Sequence, residues 1–188
     1  PLGMSGNRLE VNVHVITGAV TSAQNIIKSV NRAGLDVVDI ILQPLASSEA
    51  VLSAEERELG VAMVDLGGGT TDLAIFLDGS IRHTAVLPIG GQNLTKDLAI
   101  GLLTSQTDAE KIKVQHGIAR TELVHGHQMV EVPSVGDRPP RQFTRRDIAE
   151  ILEPRVEEMF DLVKREIVRA GYEGMLGAGV VITGGKVS

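Results

Sequence analysis

A run of three glycines between two apolar segments constrains the fold of this chain more than any other feature of its sequence. Residues 61–64 are apolar and lead into Asp65, residues 67–69 are all glycine, and residues 70–71 are threonines that open a second apolar run. This pattern predicts two strands joined by a tight turn. Without a Cβ, successive backbone N–H groups can form a concave nest for an anion. The pattern therefore predicts a phosphate-binding hairpin whose contacts are Gly67, Gly68, Gly69, Thr70 and Thr71.

The same hairpin carries a carboxylate that suits a hard cation. Asp65 ends the first strand, where a phosphate-bound Mg²⁺ or its water would need an oxygen ligand. The P-loop and the dinucleotide-binding fingerprint are excluded, because in both of them the glycines open a helix. Here they open a strand, and Asp78 with Gly79 predicts a further turn into a third strand of a β-meander. A plain glycine turn that binds nothing is the alternative interpretation of the loop.

Composition narrows the classes of partner. The 188 residues include 18 Lys and Arg against 24 Asp and Glu, which gives a formal net charge of −6. This acidity argues against nucleic acid as the main partner, because phosphate backbones bind clustered cations. The absence of cysteine excludes disulfides and zinc–thiolate sites and favours a reducing cytoplasm. No apolar run reaches the roughly 18–20 residues of a membrane span, and no secretory signal is recognisable.

Before the meander, the pattern predicts a strand, a helix and a second strand. Apolar and polar residues alternate over 9–15, helical spacing follows over 23–33 with Gly34 as the stop, and residues 37–42 are a β-branched run. Residues 1–6 are interpreted as a cloning scar and linker, because Pro-Leu-Gly precedes the first methionine.

After the meander, three helices and a strand are predicted. Thr95 is expected to cap the first helix, and residues 107–110 form a capping-box pattern that opens the second. An apolar stripe over 148–167 predicts the longest helix, which Pro154 would bend or whose true start it would mark. Residues 179–183 predict a last buried strand that ends in two glycines.

Four segments resemble the actin, Hsp70 and sugar-kinase superfamily and occur in its order. They are similar to its connecting helix, second phosphate hairpin, ribose-contacting helix and adenosine-binding turn: residues 43–50, 64–72, 109–113 and 182–185. The resemblance implies ATP and Mg²⁺ as cofactors of the full-length parent, with Asp65 as the Mg²⁺ ligand, directly or through water. It also implies the adenosine contacts Glu110, Lys113, Gly184 and Gly185. On a helix Glu110 and Lys113 share a face, although a capping acid and a solvated lysine are the alternatives.

Within that superfamily the chain resembles the FtsA family of bacterial cell-division proteins, most clearly over residues 90–97, 113–117 and 130–141. The family implies an α/β fold of the actin-like, ribonuclease H-like class, with a mixed sheet flanked by helices and a smaller α+β subdomain, here in partial form. The implied domains are the end of a first large domain or an FtsA-specific subdomain with the connecting helix, a second large-domain sheet, and the smaller subdomain: residues 7–58, 59–92 with 171–188, and 93–170.

The FtsA resemblance implies binding and assembly as the function. ATP would favour actin-like filaments that tether the FtsZ ring to the cytoplasmic face of the membrane at the septum and meet other divisome proteins. The resemblance implies that the C-terminal tail of FtsZ contacts Arg141, Arg155 and Glu158. The arginine-rich residues 138–146 could dock an acidic peptide, because guanidinium groups fork onto carboxylates. A solvated arginine-rich loop is the alternative for residues 138–146.

Family features without a counterpart in the sequence set a further expectation. The first phosphate hairpin, the helix after Gly185 and the C-terminal amphipathic membrane anchor are not found, so the chain is expected to be a fragment that binds ATP weakly or not at all. No catalytic residue is assigned, and weak ATPase activity of the parent is left open. The alternative functions are a sugar or acid kinase, an Hsp70-like chaperone and a shape-determining actin homologue.

Overall fold

The computed structural model describes residues 6–8, 10–11, 13–136 and 138–185. Most of the predicted scar, residues 9 and 12 of the first predicted strand, residue 137 and the last three residues lie outside this range. The chain divides between residues 42 and 43 into two compact units. Among the described helices, none combines the length and apolar character that crossing a bilayer requires.

In the first unit, the described residues contain one regular element, helix α1 (Val20–Arg32). The predicted helix is confirmed and begins three residues early, and Gly34 follows its end with a φ of 80°. Both predicted strands of this unit are wrong, because the described residues of 9–15 and all of 37–42 lack strand structure. Alternating apolar residues form a stable strand only when a neighbour pairs with the backbone. Here Val13 and Val38 are 73% and 98% exposed.

The second unit contains a four-stranded mixed sheet and a two-stranded hairpin. The strands are β1 (Val61–Leu66), β2 (Thr71–Leu77), β3 (Ser80–Leu87), β4 (Met129–Val132), β5 (Arg141–Thr144) and β6 (Gly179–Thr183). The sheet has the order β3-β2-β1-β6, and β4 pairs with β5. Strand β1 is antiparallel to β2 and parallel to β6. The predicted meander is confirmed, and the glycine loop joins two antiparallel strands.

Five α-helices accompany these strands in the described part of the unit: α2 (Gln43–Val51), α3 (Ala54–Leu59), α4 (Gly91–Gly101), α5 (Gln106–His116) and α6 (Arg145–Arg169). Side chains alternate across β1, so Ala62 and Val64 face α6 whereas Val61 and Met63 lie on the face that α2 covers. A third apolar cluster joins α4, α5, α6 and β4. The glycine loop therefore follows a strand, β1, that is buried on both faces.

Two predicted helix starts are wrong. Helix α4 begins at Gly91, so Thr95 lies inside the helix and not at its cap. The amides of its first turn bond to the glycine loop, a long-range contact that a local pattern does not reveal. Helix α5 is capped by Ser105, whose hydroxyl accepts from the amide of Asp108 at 3.1 Å, so the box predicted over residues 107–110 does not form.

Two further predictions need correction. Helix α6 starts at a capping box between Thr144 and Asp147 and runs through Pro154, which therefore does not mark the helix start. Strand β6 forms as predicted but is not fully buried. Val180 and Ile182 are 49% and 41% exposed, because β6 has a paired strand on one side only among the described residues.

Candidate functional site

The glycine loop between β1 and β2 is fixed to the first turn of α4. The amide of Gly67 donates to the carbonyl of Thr70 at 3.0 Å and closes the turn. The carbonyls of Gly67 and Gly68 accept from the amides of Gly91 and Gln92 at 3.0 and 2.8 Å. A helix N-terminus has amides without partners in the helix, and the loop carbonyls satisfy two of them. The loop and α4 therefore form one rigid junction.

This junction depends on a close approach at Gly90. A β-carbon on Gly90 would lie 2.7 Å from the carbonyl oxygen of Gly68, which is closer than real side chains come. Gly69 and Thr70 lie at the exposed tip, and a β-carbon on Gly69 would meet nothing within 4 Å. The loop is thus held at its base and exposed at its tip, where an anion can approach.

Thr71 does not offer the hydroxyl that the sequence predicted for a phosphate. Its side chain is fully buried, and its Oγ1 donates to the carbonyl of Ile89 at 2.7 Å. Thr71 starts β2, and the alternation of the strand turns its side chain into the protein. Of the two predicted hydroxyls, only that of Thr70 lies on the exposed tip.

Asp65 lies at the end of β1, 7% exposed, and is held by the connecting helix α2. Its Oδ2 accepts from Gln43 Nε2 at 3.2 Å and from Ser47 Oγ at 3.1 Å. Asp72 lies opposite it in the β1–β2 register. Partial burial, and then the charge of Asp65, raises the pKa of Asp72. The negative charge of Asp65 thus disfavours the ionised form of Asp72, and a cation between the two side chains and a phosphate would relieve this.

The Asp65–Asp72 pair suits Mg²⁺ only if phosphate oxygens and water complete the coordination shell of the ion. Among the described residues no group of three or more His, Asp or Glu side chains could hold a metal. Mg²⁺ commonly binds one or two carboxylates and completes its shell with phosphate oxygens and waters. The Asp65–Asp72 pair beside an anion loop fits that pattern.

Gly184 packs against the same strand end. It has a φ of 115°, and a β-carbon on it would lie 2.5 Å from the Leu66 carbonyl oxygen and 2.8 Å from Asp65 Oδ1. Gly185, which follows it, has open space at this position. The two glycines predicted together therefore differ, since only Gly184 is required by contact with the site.

Glu110 and Lys113 share a face of α5, as predicted, and form an ion pair at 2.6 Å. The Lys113 side chain is only 9% exposed, so the interpretation as a solvated lysine is wrong. Its Nζ also donates to the Gly91 carbonyl at 3.0 Å and to Thr95 Oγ1 at 2.8 Å. Thr95 in turn donates to Glu110. The interpretation of Glu110 as only a capping acid is also wrong, because Ser105, which caps α5, bonds the carboxylate of Asp108 and not that of Glu110.

Two cavities flank the cluster that Thr95, Glu110 and Lys113 form. One, of about 440 Å³, is mostly apolar and is lined by Lys113, Gly185 and side chains such as Leu94 and Phe160. The other, of about 430 Å³, is lined by polar groups that include Glu110, Gly68, Gln92 and Thr95. The structure therefore brings Lys113 and Gly185 to an apolar cavity and Glu110 to a polar one beside the glycine loop.

The sequence did not assign Gln43, Ser47 or Thr95 to this site. Gln43 and Ser47 are four apart, so the helical spacing of two polar residues on one face could have indicated a shared acceptor. Thr95 gave no such signal. Its bond to Gly91 follows from the i, i−4 geometry that helical threonines adopt, but its partner Glu110 lies on another helix.

The residues predicted to contact a partner peptide lie on two sides of α4. Arg155 of α6 forks onto Asp97, with Nε–Oδ2 and Nη2–Oδ1 distances of 2.6 and 3.1 Å, and also bonds Glu158. Asp97 and Arg155 thus join α4 to α6. This guanidinium is therefore already paired with two carboxylates of the chain, and its side chain is 30% exposed.

Arg141 belongs to a different surface. It donates to the carbonyl of Leu102, and its guanidinium lies 5.1 Å from the centre of the Phe143 ring. It lines a cavity of about 550 Å³ with Ala99 and Arg138. Ala99 and Asp97 are two residues apart on α4, a rotation of roughly 200°. The structure therefore places Arg141 away from the Arg155–Glu158 pair.

Comparison with known proteins identifies relatives over nearly the whole chain. The family model described as "Cell division protein FtsA" matches residues 62–186. A protein of that name from Pseudomonas aeruginosa is 55% identical over 185 residues, which cover 98% of this chain and 44% of the relative. The protein of Escherichia coli K12 is 47% identical over 98% of this chain and 46% of its own length. That of Bacillus subtilis is 43% identical over 100% and 42%. The chain spans less than half the length of these relatives.

Solved structures share the fold. MreB5 of Spiroplasma citri bound to ADP superposes with a TM-score of 0.67 at 22% identity, over 90% of this chain and 55% of that one. The ethanolamine utilization protein EutJ from Carboxydothermus hydrogenoformans gives a TM-score of 0.60 at 27% identity, over 85% and 46%. The predicted α/β fold of the actin-like class is confirmed.

Proposed function

This chain belongs to the FtsA family of bacterial cell-division proteins, and on that basis we propose that the surface around its glycine loop binds MgATP in a protein that assembles at the division site. The observation that carries the proposal is the attachment of the loop to α4. A trans peptide unit points its C=O and N–H in opposite directions. With the carbonyls of Gly67 and Gly68 bonded to α4, the N–H groups of Gly68 and Gly69 point away from the helix, toward an incoming phosphate.

The nucleoside would lie between the loop and the apolar cavity. A base has a flat apolar face that suits the cavity lined by Leu94, Phe160 and Gly185. In a nucleotide the ribose separates the base from the phosphates, so it would fall near Glu110 and Lys113. The Glu110 carboxylate can accept from a ribose hydroxyl. MreB5, which shares the fold, was solved with ADP.

Asp65 and Asp72 would hold Mg²⁺, directly or through water. The ion would neutralise phosphate charge beside two carboxylates that are otherwise unfavourable neighbours. Gln43 and Ser47 fix one oxygen of Asp65, which orients the carboxylate before an ion arrives.

In the complete protein, nucleotide binding would support self-association into actin-like filaments, contact with the FtsZ tail and other divisome proteins, and a peripheral position on the cytoplasmic face of the membrane at the septum. The Arg155–Glu158 pair and Arg141 would offer two separate contact points for an acidic peptide. The division into domains that was predicted from the sequence is part of what we propose. A sugar or acid kinase, a chaperone ATPase and a shape-determining homologue are not favoured by relatives that are all named for cell division.

The test is calorimetric titration of MgATP into the complete protein that contains this chain, with a matched pair of lysine variants. Lys113 is nearly buried in the site, whereas Lys111 is 64% exposed on another face of α5. We expect Lys113→Met to raise the Kd at least about tenfold, the effect of one lost charged contact, and Lys111→Met to change it less than about twofold. Equal effects of the two variants, or no binding of millimolar MgATP by the unmodified protein, would refute the proposal.

A further inference from the structure

Thr95 occupies the centre of the cluster that separates the two cavities. It lies one turn after the start of α4 and is 7% exposed. Its Oγ1 is within hydrogen-bond distance of three groups: the Gly91 carbonyl at 3.1 Å, Lys113 Nζ at 2.8 Å and the Glu110 carboxylate. A hydroxyl donates one proton and accepts others. Thr95 can therefore accept from the Lys113 ammonium while it donates to Glu110.

Gly91 connects this cluster to the glycine loop. Its amide donates to the Gly67 carbonyl and its own carbonyl accepts from Lys113 Nζ, both at 3.0 Å. One residue thus touches the predicted phosphate contacts on one side and a predicted nucleoside contact on the other. Thr95 lies against the same carbonyl and bonds both charged side chains, accepting from Lys113 and donating to Glu110.

We propose that Thr95 is a positioning residue that holds Glu110 in place for the ribose of a nucleotide whose phosphates rest on the glycine loop. The inference rests on the proposed function and deepens it, because it makes ribose recognition by Glu110 depend on Thr95, which acts through Glu110. Without the hydroxyl, Lys113 keeps Glu110 and the Gly91 carbonyl, but Glu110 loses its direct hydrogen bond to α4. Binding must then immobilise side chains that are now ordered in advance, which weakens affinity.

A buried threonine can also matter for packing alone, so two variants separate the roles. Thr95→Val keeps the size and branching and removes the hydroxyl. Thr95→Ser keeps the hydroxyl and removes a methyl group. A packing role predicts that serine is the more harmful change, since the methyl group is lost from a buried position. A positioning role predicts that valine is.

The experiment measures Kd for MgATP and for Mg–2′-deoxy-ATP with the complete protein and both variants. We expect the unmodified protein to prefer ATP, Thr95→Val to raise the Kd for ATP roughly tenfold, as for one hydrogen bond to a charged group, and its preference for ATP to disappear. Thr95→Ser should stay within about twofold of the unmodified protein in both values.

Each other outcome overturns the inference in a recognisable way. If Thr95→Val weakens ATP and 2′-deoxy-ATP equally, or Thr95→Ser behaves like it, the role is packing. If the unmodified protein binds both nucleotides alike, Glu110 does not recognise the ribose 2′-hydroxyl. If it binds neither nucleotide, the proposed function fails as well, and this result differs from the preceding ones.

Discussion

Gly184 lies so close to Asp65 that a β-carbon on the glycine would stand 2.8 Å from Asp65 Oδ1. The turn after β6 therefore lies close to the carboxylate that ends β1, and Gln43 and Ser47 of α2 hold the same carboxylate from another element. Two segments that are far from β1 in the sequence therefore meet at one side chain. We therefore expect Asp65 to be affected by small changes in α2 or in the turn after β6.

The first prediction concerns Gly184→Ala. The new β-carbon would clash with Leu66 and Asp65, and the φ of 115° disfavours any side chain. We expect a loss of about 3 kcal/mol or more in the free energy of unfolding, which is measured by urea denaturation. Gly185→Ala is the matched control, since open space surrounds its β-carbon position, and it should cost less than about 0.5 kcal/mol. Equal losses in the two variants would contradict the described packing.

The second prediction concerns the pH dependence of Asp72. Its pKa is raised in the folded state by partial burial and by Asp65. A raised carboxyl pKa means that the protonated form contributes stability at acid pH, and that this contribution is lost as pH rises through the folded-state pKa. At pH 7 Asp72→Asn should therefore stabilise the protein by about 0.5 kcal/mol or less, because water screens a half-exposed carboxylate.

Below an ordinary aspartate pKa of about 3.9 the advantage of Asp72→Asn should vanish, since the carboxyl is then neutral in both states. Thermal unfolding of both proteins across this pH range measures it. A gain that grows as the pH falls would show the opposite sign and refute the assignment. Mg²⁺ with ATP should stabilise the unmodified protein more than the variant if the carboxylate takes part in holding the ion.

The hairpin was predictable because its determinants are local. Three glycines between apolar runs, and Asp78 with Gly79, specify turns within a few residues, and the positive φ angles of these two residues, 53° and 71°, suit the hairpin turn. The predictions of strands in residues 9–15 and 37–42 were wrong because a strand needs a neighbouring strand to pair with. A local run of apolar residues does not supply one. The predicted start of α4 was wrong for a related reason, since the first amides of this helix bond to carbonyls more than twenty residues earlier in the chain.

The candidate site divides in the same way. Glu110 and Lys113 were identified through the family resemblance, and their shared helical face follows from their spacing. Thr95 was predicted as a helix cap and not as part of the site, because its partner Glu110 lies fifteen residues away on another helix. Asp97 was missed as the partner of Arg155 because 58 residues separate them. Side chains that position others through tertiary contacts leave no periodic signal.

The third prediction concerns a buried carboxylate outside the site. Glu166 of α6 is 7% exposed and accepts from Arg169 at 2.7 and 2.8 Å. It also bonds His83 Nε2 on β3 at 2.9 Å. The hydrogen bonds from Arg169, with help from His83, lower the pKa of Glu166 although burial opposes this. Glu166→Gln should cost about 1–2 kcal/mol at pH 7, because it weakens the charge-assisted hydrogen bonds from Arg169 within α6 and the bond to His83 that joins α6 to the sheet.

The sign of its pH dependence is opposite to that of Asp72. A lowered carboxyl pKa contributes stability above the ordinary glutamate pKa, about 4.3, and this is lost as pH falls through the folded-state value. The gap between unmodified protein and Glu166→Gln in urea midpoint should therefore narrow below about pH 4. Glu157→Gln, an exposed position on the same helix, is the control and should stay within about 0.5 kcal/mol at every pH.

The last prediction separates the internal role of Arg155 from its proposed role in binding the FtsZ tail. Its guanidinium forks onto Asp97, so a simple Arg155→Asp change places like charges together between α4 and α6. We expect that single variant to lose about 1 kcal/mol or more. Loss of peptide binding in it would therefore be ambiguous, because damage to the α4–α6 contact would produce the same result. Exchanging the charges, Asp97→Arg with Arg155→Asp, restores an ion pair and should recover most of the stability.

Peptide binding then distinguishes the two roles. If Arg155 contacts the acidic tail, the exchanged variant stays folded but does not bind, because the cation has moved to the other helix. If binding returns with stability, Arg155 acts only as a bridge, and the peptide contact must be sought elsewhere. Arg141→Ala tests the second surface: since Arg141 lies on the opposite flank of α4, beside the cavity it shares with Arg138, its effect on binding should add to that of Arg155 within about 0.5 kcal/mol. Fluorescence anisotropy with the tail peptide and urea unfolding measure the two quantities on the same protein samples.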